Sequence, residues 1–236
     1  MPGMTTPDPE LIQQLVDANH ILSNEGVLDG FGHVSARHDK DPGRFLLARN
    51  LAPAFVAADD LQEYDLESST RDTRRTYLEK FIHGEIYRAR PDVMAVVHSH
   101  SPSIIPFGIT GERLRPVFHM CGFLGGLVPV FEIRDAGGLE TNMLVRNREL
   151  GAALAKTLGD RPFALMRGHG SVAVGPSVKH VVYRAIYAEI NARLQQDALL
   201  MGDVTYLNEA EAANADAANM TNLDRPWDLW KARLTR

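Results

Sequence analysis

Apolar residues recur along the chain at two spacings, one typical of helices and one typical of buried strands. Near the N-terminus four of them follow the spacing of an amphipathic helix, namely Leu11, Leu15, Ala18 and Leu22. Asp8-Pro9 precedes them and is a typical helix start, because Asp caps the first turn and Pro fits its first position. Gly26 is a natural C-terminal stop. A first helix is therefore predicted between Pro9 and Gly26.

Three further helices are predicted along the chain. They cover Thr73–Ala89, Asn147–Leu158 and a long segment that Ser177 caps and that runs to about Met201. The first of these is expected to end before Pro91, because a residue that precedes a proline clashes with it in the helical conformation.

Short β-rich runs lie between the predicted helices. They cover Gly30–Arg37, Arg44–Ala48, Val93–Val97, Phe163–Met166 and Ser171–Val174, and the tripeptide at positions 98–100 continues the third run. Because strands and helices interleave, the predicted class is α/β. The chain has no internal repeat and no Ser/Gly-rich linker, so one domain is expected over residues 1–236.

The two ends of the chain differ from the middle. Residues 1–7 are expected to form a frayed leader. Residues 203–236 are polar and rich in Ala and Asn, and are expected to form a loosely attached C-terminal tail. Trp227 and Trp230 indicate that this tail docks against another part of the protein.

Composition excludes several classes of protein. The chain has 236 residues, of which 44% are hydrophobic, and a net charge of −5, so it can form a sizeable core and lacks the basic balance of a nucleic-acid binder. Its one cysteine, Cys121, excludes an intrachain disulfide framework and a multi-cysteine zinc site. With no signal-peptide pattern and no apolar run of about 18 residues, the chain is expected to be cytoplasmic and not to bind membranes.

The histidines are the strongest candidates for chemistry. His98 and His100 are two positions apart in a predicted strand, so both side chains face one side, as chelation of a divalent metal requires. His169 lies between Gly168 and Gly170 at a predicted turn, where glycines let the backbone approach a ligand. Three histidines with an open position are typical of a catalytic metal. Alternatively, His98 and His100 are ordinary polar residues at the end of a strand, and His169 is a histidine in a surface turn.

Two further polar residues are candidates for the same site. Glu79 precedes the strand that carries His98, and the return of the chain brings it near as a fourth ligand or a general acid/base. Glu79 is equally interpretable as a solvated helix carboxylate, because Glu63 and Glu85 could fill the same role. His33 follows a glycine before a predicted strand and is a candidate to face a pocket. The other histidines on helices or charged segments are expected to be structural or exposed: His20, His38, His83 and His180.

Taken in order, these motifs resemble the class II aldolase/adducin family over residues 10–202. The resemblance is carried by five segments: Gly32-His33-Val34-Ser35-Ala36-Arg37, Glu79, Ile86-Tyr87-Arg88-Ala89-Arg90-Pro91-Asp92-Val93, His98-Ser99-His100-Ser101-Pro102 and Gly168-His169-Gly170. It implies a three-layer α/β/α domain with a central, mainly antiparallel sheet. It also implies a homotetramer with sites near the subunit interfaces.

The same resemblance implies residue roles. His98, His100 and His169 match the family's metal ligands, for one divalent ion per subunit (Mn, Zn, Fe or Co), and Glu79 matches its acid/base. Adducin-type members lack the histidines and bind partners. This chain keeps the histidines, so the resemblance favours an enzyme.

Two departures from the sugar-phosphate aldolases indicate another substrate. His33 replaces the usual Asn, and Tyr77-Leu78 replaces a Ser-Ser pair that helps to hold phosphate. The chain is similar to the branch of the family that includes decarboxylases of hydroxylated aromatic or pyridine dicarboxylic acids. Within that branch it most resembles decarboxylases that act on 3-hydroxy-2-methylpyridine-4,5-dicarboxylate. The expected reaction is a metal-dependent, retro-aldol-like decarboxylation of such a small carboxylic acid, with Glu79 or His33 supplying the ring proton.

The substrate site is expected to include Tyr77 and Ser35. Arg74 and Arg75 are candidates to clamp a second carboxylate, with exposed helix arginines as the simpler interpretation. Three alternative functions stay open at this point. They are a class II aldolase or epimerase acting on a small hydroxy-carbonyl compound, a non-haem iron oxygenase, and a non-catalytic adducin-like scaffold.

Overall fold

A computed structural model describes residues 6–234 and places one seven-stranded sheet at the centre of the protein. The strands are β1 (His33–Arg37), β2 (Arg44–Ala48), β3 (Leu61–Asp65), β4 (Ala95–Ser99), β5 (Val130–Phe131), β6 (Phe163–Met166) and β7 (Gly170–Gly175). Their order is β3-β2-β1-β4-β7-β6-β5. All neighbours are antiparallel except β5 and β6. The expectation of a mainly antiparallel sheet is confirmed.

Residues 6–234 form seven α-helices, and most of them pack on the two faces of this sheet. They are α1 (Pro9–Asn24), α2 (Lys80–Ala89), α3 (Arg134–Gly137), α4 (Arg148–Leu158), α5 (Val178–Met201), α6 (Glu209–Met220) and α7 (Asp224–Leu234). Helices α1, α5 and α7 contribute to one apolar layer, and α2 and α4 contribute to the other. The single-domain, three-layer α/β/α fold is therefore confirmed.

Helix starts follow the capping chemistry of the sequence. The carboxylate of Asp8 accepts a hydrogen bond from Glu10 N at the start of α1, and Pro9 is the first helical residue. Ser177 accepts a hydrogen bond from His180 N at the start of α5. At the end of α1, Gly26 takes a φ of +71°. Both caps and the glycine stop were predicted from the sequence.

The helix predicted over Thr73–Ala89 starts later than expected. Its first residue is Lys80, and residues 73–79 are irregular because their backbone carbonyls bind elsewhere. Arg75 O accepts a hydrogen bond from Asn50 N, and Arg74 O accepts one from the side chain of Gln62. These bonds hold the segment beside the β2–β3 end of the sheet. Glu79 consequently lies at the N-terminal end of α2 and not within a helix.

The C-terminal segment also differs from the expected loose attachment. Residues 209–220 and 224–234 form α6 and α7. Trp227 and Trp230 are 3% and 5% exposed and belong to the apolar layer on the α1–α5 face. Lys231 forms an ion pair with Asp17 of α1 at 2.8 Å. Burial of two tryptophans stabilises this attachment. Part of the predicted frayed leader, residues 1–5, lies outside the described residues.

Candidate metal centre

Two histidines, one on the central strand of the sheet and one just after it, point toward each other. His98 is fully buried on β4, and its Nδ1 donates a hydrogen bond to the carbonyl of Ser171 at 3.0 Å. A carbonyl only accepts, so the proton of a neutral His98 is on Nδ1 and the lone pair of Nε2 is free. That Nε2 lies 3.2 Å from Nε2 of His100, just beyond the end of β4. The same-side arrangement predicted from their spacing is present.

A glycine-flanked turn brings the third histidine to this point. His169 lies between β6 and β7, after Gly168 with a φ of +61°. A Cβ at Gly170 would lie 2.0 Å from the carbonyl oxygen of Ser99, so only glycine lets β7 begin this close to β4. As a result Nε2 of His169 lies 3.0 Å from Nε2 of His100. All three imidazoles converge.

Glu79 adds a carboxylate to the three imidazoles. Its Oε1 accepts a hydrogen bond from Val145 N at 2.9 Å, and its Oε2 lies 3.6 Å from Nε2 of His98 and 3.4 Å from Nε2 of His169. Oε2 of Glu79 thus faces the same point as the imidazole nitrogens of His98 and His169.

The donor set fits a divalent cation. One ligand atom from each of Glu79, His98, His100 and His169 lies within 4.8 Å of the other three. Burial, and then the neighbouring His98 and His169, lower the pKa of His100 to about 4, so its ring is neutral near neutral pH. Imidazole nitrogens that face one another beside a carboxylate are well placed to share one positive ion. Three nitrogens and one oxygen are suitable ligands for zinc, iron or manganese.

A cavity opens directly onto this cluster. It has a volume of about 190 Å³ and shares His100 and Glu79 with the cluster. Its other walls come from four segments of the chain: Gly30, Phe31, Gly32, His33, Asn50, Tyr77, Leu78 and Leu144. A larger groove of about 500 Å³, which runs from Arg113 to Glu209, contains none of the four cluster residues. Of these two, the smaller cavity is the one with access to the cluster.

One wall of the cavity is apolar and aromatic. The Tyr77 hydroxyl donates a hydrogen bond to the carbonyl of Leu51, and burial raises its pKa to about 12. The hydroxyl is thereby occupied away from the cavity, while the ring lies 4.7 Å from the ring of His33. Leu78, which is 65% exposed, lies at the mouth. This wall therefore offers ring and aliphatic surface to a ligand.

Comparison with known proteins decides the family. A family model described as Class II Aldolase and Adducin N-terminal domain matches residues 13–196. The chain belongs to this family. Class II aldolases use a divalent metal, and the cluster of three histidines and a glutamate in this chain is suited to hold one.

Two relatives with similar sequences are decarboxylases. Decarboxylase tropJ from Talaromyces stipitatus is 36% identical, in a match that covers 96% of this chain and 95% of the relative. The 3,4-dihydroxyphthalate decarboxylase from Arthrobacter keyseri is 30% identical, with 93% and 90% covered. An aldolase II superfamily protein from Pseudomonas syringae shares the fold with a TM-score of 0.79 at 22% identity, covering 98% of this chain and 94% of its own. The identification as a lyase of the class II aldolase/adducin family, in its decarboxylase branch, is confirmed.

Three residues predicted to bind substrate lie outside the cavity of this class II aldolase-like domain. The guanidinium of Arg74 is exposed, forms an ion pair with Asp72 and donates to the carbonyl of Asp59. Arg75 is also exposed and is not part of the cavity wall. Ser35 is fully buried behind His33. The expectation of direct substrate contact by these three is not supported by their positions.

His83 lies next to the cavity wall, a position that its sequence context does not predict. It is fully buried, in agreement with a structural histidine, and its Nε2 lies 2.6 Å from Nδ1 of His33. The sequence does contain a pattern that groups His83 with Glu79, because Glu79, His83 and Tyr87 follow one another at intervals of four residues. That interval places side chains on one face of a helix. By contrast, Phe31, Asn50 and Leu144 reach the cavity only through the tertiary fold.

Proposed function

We propose that this protein is a metal-dependent decarboxylase of a hydroxylated aromatic or pyridine dicarboxylic acid. The observation that carries the proposal is the cavity, which has the Tyr77 ring and Leu78 on one wall and the histidine–glutamate cluster on another. A flat acid fits such a space with its ring against the apolar wall and its oxygens toward the cluster. The named activities of the two decarboxylase relatives support the same class of reaction.

In this proposal His98, His100 and His169 hold the metal, and Glu79 and His33 face the substrate. A bound divalent ion would supply Lewis-acid stabilisation of negative charge on the substrate oxygens. An ion held by the three histidines would lie at the His100 end of the cavity, so the ring of the substrate would extend toward His33 and Tyr77. Leu78 and Leu144 reduce the access of water to that ring.

Glu79 is proposed to carry the proton. Glu79, whose Oε2 is directed toward the cluster, begins as a carboxylate and takes the proton from a ring hydroxyl of the bound acid. It then delivers that proton to the ring carbon that bears the leaving carboxylate. The bond between the two carbons breaks, its electron pair restores the aromatic ring, and CO₂ leaves. Val145 N, bonded to Oε1, keeps Oε2 directed toward the site.

Substrate choice is the direct test of this function. We expect CO₂ release from ortho-hydroxy dicarboxylic acids such as 3,4-dihydroxyphthalate or 3-hydroxy-2-methylpyridine-4,5-dicarboxylate, and no aldehyde release from fuculose or ribulose phosphates. A phosphate at Tyr77 and Leu78 would be short of donors, and an unsatisfied buried polar group costs about 1–3 kcal/mol. A side-by-side assay of CO₂ and aldehyde decides the question.

A matched pair of variants sharpens this assay. Leu78→Ser should raise KM for the aromatic acid, because it removes apolar surface at the cavity mouth. Leu139→Ser changes a leucine that is 86% exposed and outside the cavity wall, so it should leave KM unchanged. Aldehyde release without CO₂ would overturn the decarboxylase and favour an aldolase.

We also propose that the protein is a homotetramer in which a second subunit covers the cavity mouth. Phe31 and Leu78 flank that mouth and are 70% and 65% exposed in the single chain. Exposed apolar surface beside a catalytic cavity is typical of a subunit contact. Light scattering after size exclusion should give the mass of four chains, and the mass of one chain would contradict the proposal.

A further inference from the structure

Four buried polar side chains form a continuous hydrogen-bonded chain behind the cavity. Nδ1 of His33 lies 2.6 Å from Nε2 of His83, and Nδ1 of His83 lies 2.6 Å from Oγ of Ser35. Ser35 Oγ in turn lies 2.7 Å from the phenolic oxygen of Tyr87. His33 is the end of this chain that lines the cavity, and each of the four side chains is at most 3% exposed.

The direction of these hydrogen bonds follows from the two hydroxyl groups. Burial raises the pKa of Tyr87, so the phenol keeps its proton. The backbone N–H of Val96 also interacts with the phenol oxygen but can only donate, so among the described residues Ser35 Oγ is the acceptor for the phenol proton. If Tyr87 donates to Ser35 and Ser35 donates to Nδ1 of His83, both hydroxyl protons are used. Any other arrangement leaves one buried hydroxyl proton without an acceptor, which costs about 1–3 kcal/mol.

This direction determines the tautomers of both histidines. His83 accepts at Nδ1, so its proton is on Nε2 and is donated to Nδ1 of His33. His33 therefore accepts at Nδ1, and its own proton is on Nε2. Because Nδ1 is engaged behind the cavity wall, Nε2 is the nitrogen of His33 left for a ligand.

We propose that Ser35 and His83 are positioning residues that hold His33 as the Nε2–H tautomer, so that His33 donates a hydrogen bond to a hydroxyl or carboxylate oxygen of the substrate. The identity of that substrate rests on the proposed function. The arrangement separates two roles in the site. His33 is a fixed donor, comparable to an oxyanion-hole group, and Glu79 carries the proton.

Nitrogen-15 NMR of the ring nitrogens tests the tautomers directly, in zinc-loaded protein because zinc is diamagnetic. Protonated and unprotonated ring nitrogens have well-separated shifts. Near neutral pH, both His33 and His83 should carry their proton on Nε2 and none on Nδ1. Addition of 2-hydroxybenzoate, which has adjacent hydroxyl and carboxylate groups, should shift the Nε2 proton of His33. A proton on Nδ1 of His33, or a resonance that 2-hydroxybenzoate leaves in place, would overturn the proposal.

Two variants distinguish the proposed direction from its reverse. Ser35→Ala removes the donor to His83, so His33 should become a mixture of tautomers and kcat/KM should fall. Tyr87→Phe leaves Ser35 able to donate to His83, so the Nε2–H tautomer of His33 should persist. In the reverse direction His83 donates to Ser35 and Ser35 donates to the phenol oxygen of Tyr87. Tyr87→Phe would then remove the last acceptor of the chain and change the tautomer of His33. Tyr64→Phe is the matched control, because Tyr64 is a buried tyrosine of the same apolar layer bonded to Gln62.

These measurements also separate this inference from the proposed function. The tautomers are read without turnover, and zinc content and circular dichroism show whether each variant is folded and loaded. An absence of decarboxylation together with the expected tautomers and the expected 2-hydroxybenzoate shift would reject the decarboxylase and retain the donor role of His33. Decarboxylation together with a proton on Nδ1 of His33 would do the reverse.

Discussion

His169→Ala is expected to release the metal and abolish turnover while the fold is retained. His169 contributes the imidazole that closes the cluster, with its Nε2 3.0 Å from that of His100. Loss of a group that only orients a ligand already weakens metal binding by about 10–100-fold, so loss of a ligand should weaken it by more than about 100-fold. Elemental analysis of purified protein and a decarboxylation assay measure the two effects.

The control for this experiment is His119→Ala. His119 is exposed and lies outside the cluster, so its loss removes an imidazole without removing a ligand. Added metal should raise the melting temperature of the wild-type protein and of His119→Ala, because a ligand that binds only the folded state stabilises it. It should leave the melting temperature of His169→Ala nearly unchanged. Full metal occupancy and full activity in His169→Ala would refute the proposed metal ligands.

The shared side of His98 and His100 could be predicted from the local sequence. The approach of His169 could not, because it depends on contacts between distant segments. The side chains of His98 and His100 share a side because residues two apart in a strand do so. The approach of His169 depends on the pairing of β4 with β7, in which Ser99 lies opposite Ser171. No local pattern specifies that pairing. The likeness to a family grouped His169 with His98 and His100 without specifying which strands pair.

The start of α2 shows where periodicity was insufficient. Leu78, Ile82 and Ile86 follow helical spacing, yet Leu78 is 65% exposed and precedes the helix. The carbonyls of residues 74 and 75 are hydrogen-bonded to β3 and to the loop that follows β2. Tertiary hydrogen bonds thus override the helical pattern, as they commonly override propensity. The consequence is functional, because a free N-terminal end lets Glu79 reach the histidines.

The apolar pattern of the sequence does not predict strand β3, because one of its two buried positions is a polar residue. Burial alternates along Leu61–Asp65, but the two fully packed positions are Gln62 and Tyr64. The hydroxyl of Tyr64 donates to the amide oxygen of Gln62 at 2.6 Å, so each satisfies the other in the interior. A polar residue on the buried side conceals the strand from any search for alternating apolar positions.

Glu79→Gln is expected to lower kcat by about 10²–10⁴, the usual range for loss of a general acid or base. Glutamine keeps the shape of the side chain and can still accept the hydrogen bond from Val145 N. It cannot take a proton from the substrate and return it to the ring carbon. Because three imidazoles remain, the variant should retain its metal. Steady-state kinetics and metal analysis on the same preparation measure both quantities.

Glu85→Gln is the matched control, since Glu85 is 5% exposed on α2 and accepts a hydrogen bond from Arg148 at 2.7 Å, away from the cavity. Its amide can keep that contact, so kcat should stay within a few-fold of the wild-type value. A metal-free Glu79→Gln would instead identify Glu79 as a required ligand. An unchanged kcat in metal-loaded Glu79→Gln would remove the proton transfer from Glu79 altogether. His33 would then be the next residue to test, through the proton on its Nε2.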